Sequence, residues 1–278
     1  MAFTMSDLMY AAMNREGLID NRVLTGGSTT LATCSDLGTD YGTNDMKNAI
    51  MFVTGTTDGL APINEFQRTT TLDTGTGAVT LAAALTVTLA AGDTVGFGKP
   101  SIPYLNMLQM VNDALRGLNE IELVDITMTT SAEKTEYTLP VGIKRRNLIK
   151  VEIETNDDTN DYQWREIIGC SVFPAASGTQ SLLYIPQQDA DQTIKLWYRG
   201  VHETLTAYNS VVNENIVPEL AITLLIKKMQ NWRYKKSLGG EPELAQFLNG
   251  AVSDANEAKA LYPMRHTPRR PKIFTMSE

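Results

Sequence analysis

Apolar residues recur at two different periods along the chain, and the change between these periods divides it into helical and β regions. Residues 4–18, 103–120, 217–238 and 242–262 carry apolar side chains every three or four positions, the spacing that predicts one buried helix face. Residues 49–98 and 135–200 contain short alternating runs between turn-forming residues, as in antiparallel strands. The pattern predicts an α+β protein: an N-terminal helix, a central helix and a C-terminal helical pair form a core beside two antiparallel β modules.

The central helix has the clearest apolar periodicity. It is predicted over residues 103–120, with Pro100 and Pro103 before it. Five residues at spacings of three and four predict its buried face: Leu105, Leu108, Val111, Leu115 and Leu118.

The first helix carries a start signal. Thr4 or Ser6 can cap its N-terminus, and the carboxylate of Asp7 suits the positive end of the helix dipole. Gly17 is a plausible C-terminal stop.

Changes of composition predict four segments. Residues 1–21 are the N-terminal helix, and residues 22–101, rich in Gly and Thr, are a small β-sandwich or barrel. Residues 102–262 combine the central helix, the second β module and two helices. Residues 263–278 contain three prolines among sixteen residues and predict an extended C-terminal arm.

Composition excludes some broad classes. The net charge of −8 and pI near 4.9 argue against a general nucleic-acid or membrane-surface binder. Met1–Leu8 has no basic segment and no long apolar run, so we expect no secretory signal peptide. The most apolar stretch, residues 78–97, alternates like strands and predicts no membrane span. The two cysteines, Cys34 and Cys170, lie in no metal-binding or redox motif, so we expect free thiols in a reducing compartment.

Catalytic and metal-binding motifs are missing from the sequence. His202 and His266 are the only histidines, and neither stands at a zinc-ligand spacing. The acidic turn at residues 156–161 lacks the central Gly and closing Glu of an EF-hand loop, so a solvated hairpin turn is the simpler interpretation. Aromatic residues are 7% of the chain and scattered, which weighs against a polysaccharide-degrading enzyme. We therefore expect that the protein is not an enzyme and that it binds no cofactor and no metal.

A basic cluster lies near the C-terminus of the predicted third helix. Residues 221–240 hold five Lys or Arg and no acid. One interpretation is a solvated helix face whose cations suit the C-terminal dipole. The other is a contact with the acidic surface of a neighbouring subunit. The candidates for that contact are Lys227, Lys228, Trp232, Arg233 and Lys235.

A second basic cluster occupies the C-terminal arm. Two large apolar residues follow its cations, and apolar residues at an unstructured end favour docking into a partner's pocket. The alternative is a disordered basic tail. The docking candidates are Arg265, Arg269, Arg270, Lys272, Ile273 and Phe274.

Four segments resemble a known protein family. The run 106-NMLQMVNDALRGLNEIELVD-125 resembles the helix of head-to-tail adaptor (connector, neck) proteins of tailed bacteriophages. Residues 137–154 and 194–206 resemble the β module that follows it, and residues 216–236 resemble the closing helical pair. The Gly/Thr-rich residues 22–100 look like the small β domains that decorate phage structural proteins. The resemblance covers about residues 102–278.

The resemblance implies a structural role in the virion neck. Such adaptors form a ring, commonly twelve-fold, beneath the portal protein. They extend the DNA channel used in genome ejection and dock the tail or a stopper protein. The expected partners are portal, tail or stopper proteins and further copies of this chain, assembled in the host cytoplasm, with DNA passing transiently and no membrane. In several such families the C-terminal segment reaches along the portal.

The physics of a ring fits this expectation. Its subunits need head-to-tail interfaces that close, and a channel for DNA should not grip phosphates, which a net acidic chain allows. Two other classes stay open: a tail-side, decoration or stopper protein that binds a surface through its β domains, and a carboxylate-based depolymerase.

Overall fold

The computed structural model describes residues 2–60, 63–99, 101–118, 120–155, 163–174, 180–237 and 241–263. These residues form five helices and three antiparallel sheets, which confirms the α+β class. They divide into two compact units: unit 1 takes the described parts of 1–117 and 203–263, and unit 2 takes those of 118–202. The four segments predicted from the sequence, 1–21, 22–101, 102–262 and 263–278, have other boundaries than these two units. They stay a prediction.

Unit 1 contains all five helices and a seven-stranded sheet. Its helices are α1 (Met5–Arg15), α2 (Leu37–Asp40), α3 (Tyr104–Arg116), α4 (Pro218–Lys236) and α5 (Pro242–Leu261). Its strands are β1 (Ile19–Val23), β2 (Gly26–Gly27), β3 (Leu31–Thr33), β4 (Ile50–Gly55), β5 (Phe66–Asp73), β6 (Ala78–Leu81) and β7 (Thr94–Gly98).

The sheet of unit 1 runs in the order β1-β7-β4-β5-β6-β3-β2, and every neighbouring pair is antiparallel. Its core includes Met51, Val53, Leu72, Val79 and Phe97. Gly77 has φ of +68°, and a Cβ there would lie 1.8 Å from the carbonyl oxygen of Cys34, so only glycine fits this turn.

Helix α1 begins with the predicted cap. The Thr4 hydroxyl accepts a hydrogen bond from the Asp7 backbone, and the Asp7 carboxylate accepts one from the Thr4 backbone, which together form a capping box. A row of ring contacts then joins helices to strands: Tyr10 to Phe52, Phe52 to Phe66, and Phe66 to Tyr104, with centroids 5.6 to 6.0 Å apart. Within unit 1, these rings attach the sheet to α1 and α3.

Helix α4 is the centre of the helical layer. It packs against α1, α3 and α5, and its first half is buried almost all round. Arg15 of α1 makes a two-pronged ion pair with Glu219 in the first turn of α4, with distances of 2.6 and 3.0 Å. The continuous burial from Leu220 to Ile226 thus reflects packing by several neighbours rather than one apolar stripe.

The predicted buried face of α3 was wrong at its N-terminal end. Leu105 is 68% exposed and Leu108 is half-buried, whereas Met107 and Met110 are buried with Val111, Ala114 and Leu115. The buried face is centred on the methionines, which the leucine-based stripe left out. Methionine is long and flexible, so it fills the irregular space between helices well.

Unit 2 contains two antiparallel sheets. Its strands are β8 (Ile121–Thr129), β9 (Glu136–Thr138), β10 (Leu148–Thr155), β11 (Gln163–Glu166), β12 (Ser171–Pro174), β13 (Ser181–Tyr184) and β14 (Thr193–Gly200). The larger sheet has the order β11-β10-β14-β8, and the smaller has the order β12-β13-β9. They share a core that includes Tyr137, Leu139, Ile153, Leu183 and Leu196.

The remaining sequence expectations match at the level of elements. The four long helices fall where predicted but end one to four residues earlier than expected. The two cysteines form no disulfide with each other, Cys34 being buried and Cys170 half-buried. The predicted turn at 156–161 and most of the turn at 174–180 lie outside the described residues, as does the predicted arm beyond Pro263.

Candidate functional site

The basic residues predicted at a subunit interface lie in the second half of α4. Lys228, Trp232 and Lys235 are four and three residues apart, so they share one side of the helix, and Lys227 lies beside them. Arg233 lies on the opposite side. Lys235 is exposed and the others are half-buried. We call Lys227, Lys228, Trp232 and Lys235 the basic stripe.

The cations of the basic stripe have no acidic partner in the described part of the chain. Lys227, Lys228 and Lys235 form no ion pair there, and neither does Arg233. The ammonium of Lys236 lies 4.9 Å from the ring centroid of Trp232, which adds a further cation to the same region. The stripe is therefore a surface of uncompensated positive charge on an acidic protein.

Buried contacts fix the orientation of this half of α4. Leu225 and Met229 are completely buried, and the side-chain amide of Gln230 donates to the carboxylate of Glu16. Leu225 and Met229 lie seven and three residues before Trp232, on its side of the helix, so the basic stripe borders this buried contact and emerges into solvent toward the exposed Lys235. The six predicted docking residues of the arm, Arg265 to Phe274, lie outside the described residues.

A cluster in unit 2 was missed by sequence reasoning. Lys195 of β14 places its Nζ 4.6 Å from the ring centroid of Trp164 on β11 and 4.9 Å from that of Trp197 on its own strand. Lys150 of β10 lies 4.6 Å from the Trp197 ring. The indole nitrogen of Trp197 donates to Glu152 over 2.6 Å, and Lys150 pairs with the same carboxylate. Two of the three tryptophans thus meet on one sheet face, so the aromatic residues are less scattered than the sequence suggested.

The carboxylate of Glu152 is held in its charged form. Its burial opposes ionisation, but the hydrogen bonds from Lys150 and Trp197 outweigh that effect and lower the pKa of Glu152 below its ordinary value. The charged carboxylate therefore accepts hydrogen bonds from both Lys150 and Trp197 and joins them in one cluster.

Other polar clusters of the described residues have structural explanations. Arg22 binds the carboxylates of Asp20, Asp36 and Asp40, so one guanidinium joins this acidic group and compensates part of its charge. Burial raises the pKa of the Cys34 thiol to about 11, which makes it a poor nucleophile. Among the described residues, no group of three or more His, Cys, Asp or Glu side chains is arranged to hold a metal ion.

Comparisons with known proteins identify no family for this chain. No protein-family model matches the chain, and no curated protein matches it either. Within the described residues, none of the helices has the length and apolar character needed to cross a bilayer.

Proposed function

We propose that the protein is a head-to-tail adaptor of a tailed bacteriophage, a structural neck protein that forms a ring between portal and tail. In this proposal α1, α3, α4 and α5 form the core of each ring subunit. The two β regions lie toward the tail or the outside, and the ring extends the DNA channel during genome ejection. The protein has no catalytic role and acts by binding the portal, the tail or stopper, and other copies of itself.

The basic stripe on α4 is the observation that carries this proposal. A buried helix that presents several uncompensated cations has a surface suited to an acidic partner. The rest of the chain is acidic, with a net charge of −8, so other copies of the same protein are a plausible source of that partner. A ring requires such contacts between two different surfaces of identical subunits.

The resemblance of residues 102–278 to phage adaptors supports the same proposal from the sequence. It joins a central helix, a β module and a closing helical pair in that order, and these elements occur in the structure as α3, β8 to β14, and α4 with α5. The order of elements is compatible with an adaptor, and the portal interaction is the part that an experiment must establish.

The test is mass photometry of the purified protein alone and mixed with the portal protein of the same virus. We expect a complex whose mass exceeds that of the portal alone by the mass of one ring, commonly twelve subunits of 30.6 kDa. A portal-bound ring that dissociates at high salt would also agree with charge-dependent contacts. Absence of a complex between the chain and the portal at micromolar concentration would refute the adaptor function.

A second candidate is a tail-side, decoration or stopper protein that binds a surface through a β domain. The observation that favours it is the group formed by Trp164, Lys195 and Trp197, because half-exposed tryptophans with adjacent cations are common at binding surfaces. The same measurement separates the two functions. A stable trimer without portal-dependent assembly would favour surface binding, since receptor-binding tail proteins are usually trimeric.

A further inference from the structure

Helix α5 carries a second stripe, which lies beside the side that packs on α4. Its residues are spaced alternately by four and three positions, so they lie along one side of the helix, and all of them are exposed. We call this the α5 stripe: Glu243, Phe247, Gly250, Asp254, Glu257 and Leu261.

The α5 stripe has the composition of a docking face rather than a solvated one. Phe247 is 58% exposed and Leu261 is 64% exposed, although both are large apolar residues. Three carboxylates lie between and beside them. The adjacent side of α5 packs on α4 through the buried Ala251, Ala255 and Ala258, and the stripe beside it is exposed to solvent, where a second chain can reach it.

Gly250 gives independent support. It lies in the middle of α5, where glycine destabilises a helix by about 1 kcal/mol relative to alanine. A Cβ placed there would meet nothing within 4 Å, so no neighbour within the described subunit requires a glycine. A glycine on an exposed helix face allows another chain to approach the backbone closely.

We infer that the α5 stripe is the binding surface for the basic stripe of a second copy of this chain. The two surfaces have opposite charge, since the α5 stripe holds three acids and no base, whereas the basic stripe holds three lysines and no acid. They lie on different helices, so each subunit offers one surface to each of two neighbours, which is the requirement for a closed ring. This inference rests on the proposed function and names the surfaces that would assemble the ring.

One of the acids also acts inside the subunit. Asp254 contributes to raising the pKa of Arg15, whose main partner is Glu219. Within the described residues, Glu243 and Glu257 form no ion pair, so they are the better positions for testing the contact between subunits.

The test uses two charge-reversed variants of the full chain. Variant A carries Glu243→Lys and Glu257→Lys, so both of its stripes are basic. Variant B carries Lys228→Glu and Lys235→Glu, so both of its stripes are acidic. For each variant alone, the amount of portal-bound ring should be at least about tenfold lower than for the wild type, because like charges face each other at every contact. An equimolar mixture should restore the ring, because A and B can alternate around it.

Matched controls separate this effect from a change of net charge. Glu120→Lys with Glu214→Lys and Lys47→Glu with Lys144→Glu change exposed residues outside α4 and α5 by the same charge. Both control proteins should assemble like the wild type. Gly250→Gln should raise the melting temperature slightly, because it removes a helix-interior glycine, but should lower assembly, because its side chain occupies the space that the neighbour needs. Circular dichroism checks the fold of each variant.

The outcomes distinguish the inference from the function on which it rests. If A and B each assemble normally, or the mixture stays unassembled while the controls form rings, the inference is wrong and the adaptor function stands. If the mixture restores only a dimer, the contact is two-fold symmetric and the ring inference is wrong. If deletion of residues 264–278 abolishes the effect of the reversals, that segment is the occupant instead. If the wild-type chain and the mixture of A and B both form rings but neither binds portal, the contact between subunits stands and the adaptor function fails.

Discussion

At the residue scale, Glu152 is the carboxylate whose surroundings have the clearest measurable consequence. It is 9% exposed, binds Lys150 and the Trp197 indole, and has a pKa lowered from its ordinary value of 4.5. A group with a lowered pKa in the folded state stabilises the fold above its unfolded pKa, and this contribution disappears as the pH falls through the folded pKa. Unit 2 should therefore lose stability below about pH 4.5 partly through this residue.

We expect Glu152→Gln to lower the free energy of unfolding of unit 2 by about 1–2 kcal/mol at pH 7 and to flatten its decline between pH 5 and pH 3. Urea unfolding followed by tryptophan fluorescence measures this, in a Trp232→Phe background so that only the tryptophans of unit 2 report. Glu136→Gln, at an exposed position of the same unit, should keep the wild-type pH dependence. Equal slopes for wild type and Glu152→Gln would show that the charge of Glu152 is not held by the fold.

The same residues show where sequence reasoning ends at this scale. Local signals were sufficient for the Thr4–Asp7 capping box, because both partners lie within one turn of chain. The grouping of Trp164, Lys195 and Trp197 depends on the order of strands β11, β10 and β14, which no local pattern specifies. A contact between strands distant in sequence becomes visible only when the register of the sheet is known.

At the element scale, α3 shows that periodicity locates a helix more reliably than it orients one. The spacing correctly placed the helix over most of 103–120, but leucines alone displaced the predicted buried face from the one that Met107 and Met110 define. Leu115 belongs to both faces and is 1% exposed, whereas Leu105 is 68% exposed. These two leucines on one helix therefore make a matched pair.

We expect Leu115→Asp to lower the free energy of unfolding of unit 1 by at least about 3 kcal/mol, because it puts an unpaired carboxylate among apolar side chains. Leu105→Asp should change it by less than about 0.5 kcal/mol, since that side chain already faces solvent. Thermal melting followed by circular dichroism at 222 nm compares the two. Similar melting temperatures for both variants would mean that the assigned face of α3 is incorrect.

At the scale of the whole molecule, the sequence predicted the class of fold and its sequence of helical and β regions, but not the assembly of strands into sheets. The region predicted as a β-sandwich or barrel, residues 22–101, contributes its strands to a single seven-stranded sheet. Strands β1 and β2 are neighbours in the sequence but stand at the two ends of the strand order. Its attachment to the helices through the row from Tyr10 to Tyr104 relies on contacts distant in sequence. The separation of lysines on α4 from carboxylates on α5, in contrast, follows from the sequence once the exposed face of each helix is known.

The C-terminal segment provides the last test, because the docking candidates predicted from the sequence lie there. Within the described residues, all members of the cores given for the β regions lie between Leu24 and Leu196, and the helical layer ends with α5 at Leu261. We expect a chain that ends at Tyr262 to keep its melting temperature within about 2 °C, because it retains all of these core residues. If the segment is a docking arm, the same chain should lose most of its co-sedimentation with portal.

Two further variants separate the contributions of charge and apolar contact in that segment. Replacing Arg265, Arg269, Arg270 and Lys272 by serine should weaken portal binding at low salt and have little effect at 0.5 M salt, where screening already removes the attraction. Replacing Ile273 and Phe274 by serine should weaken binding at both salt concentrations, because burial of apolar surface does not depend on charge screening. Sedimentation with portal at the two salt concentrations measures both effects. Full portal binding by the chain that ends at Tyr262 would refute the docking arm and place the portal contact on the described residues of the two units.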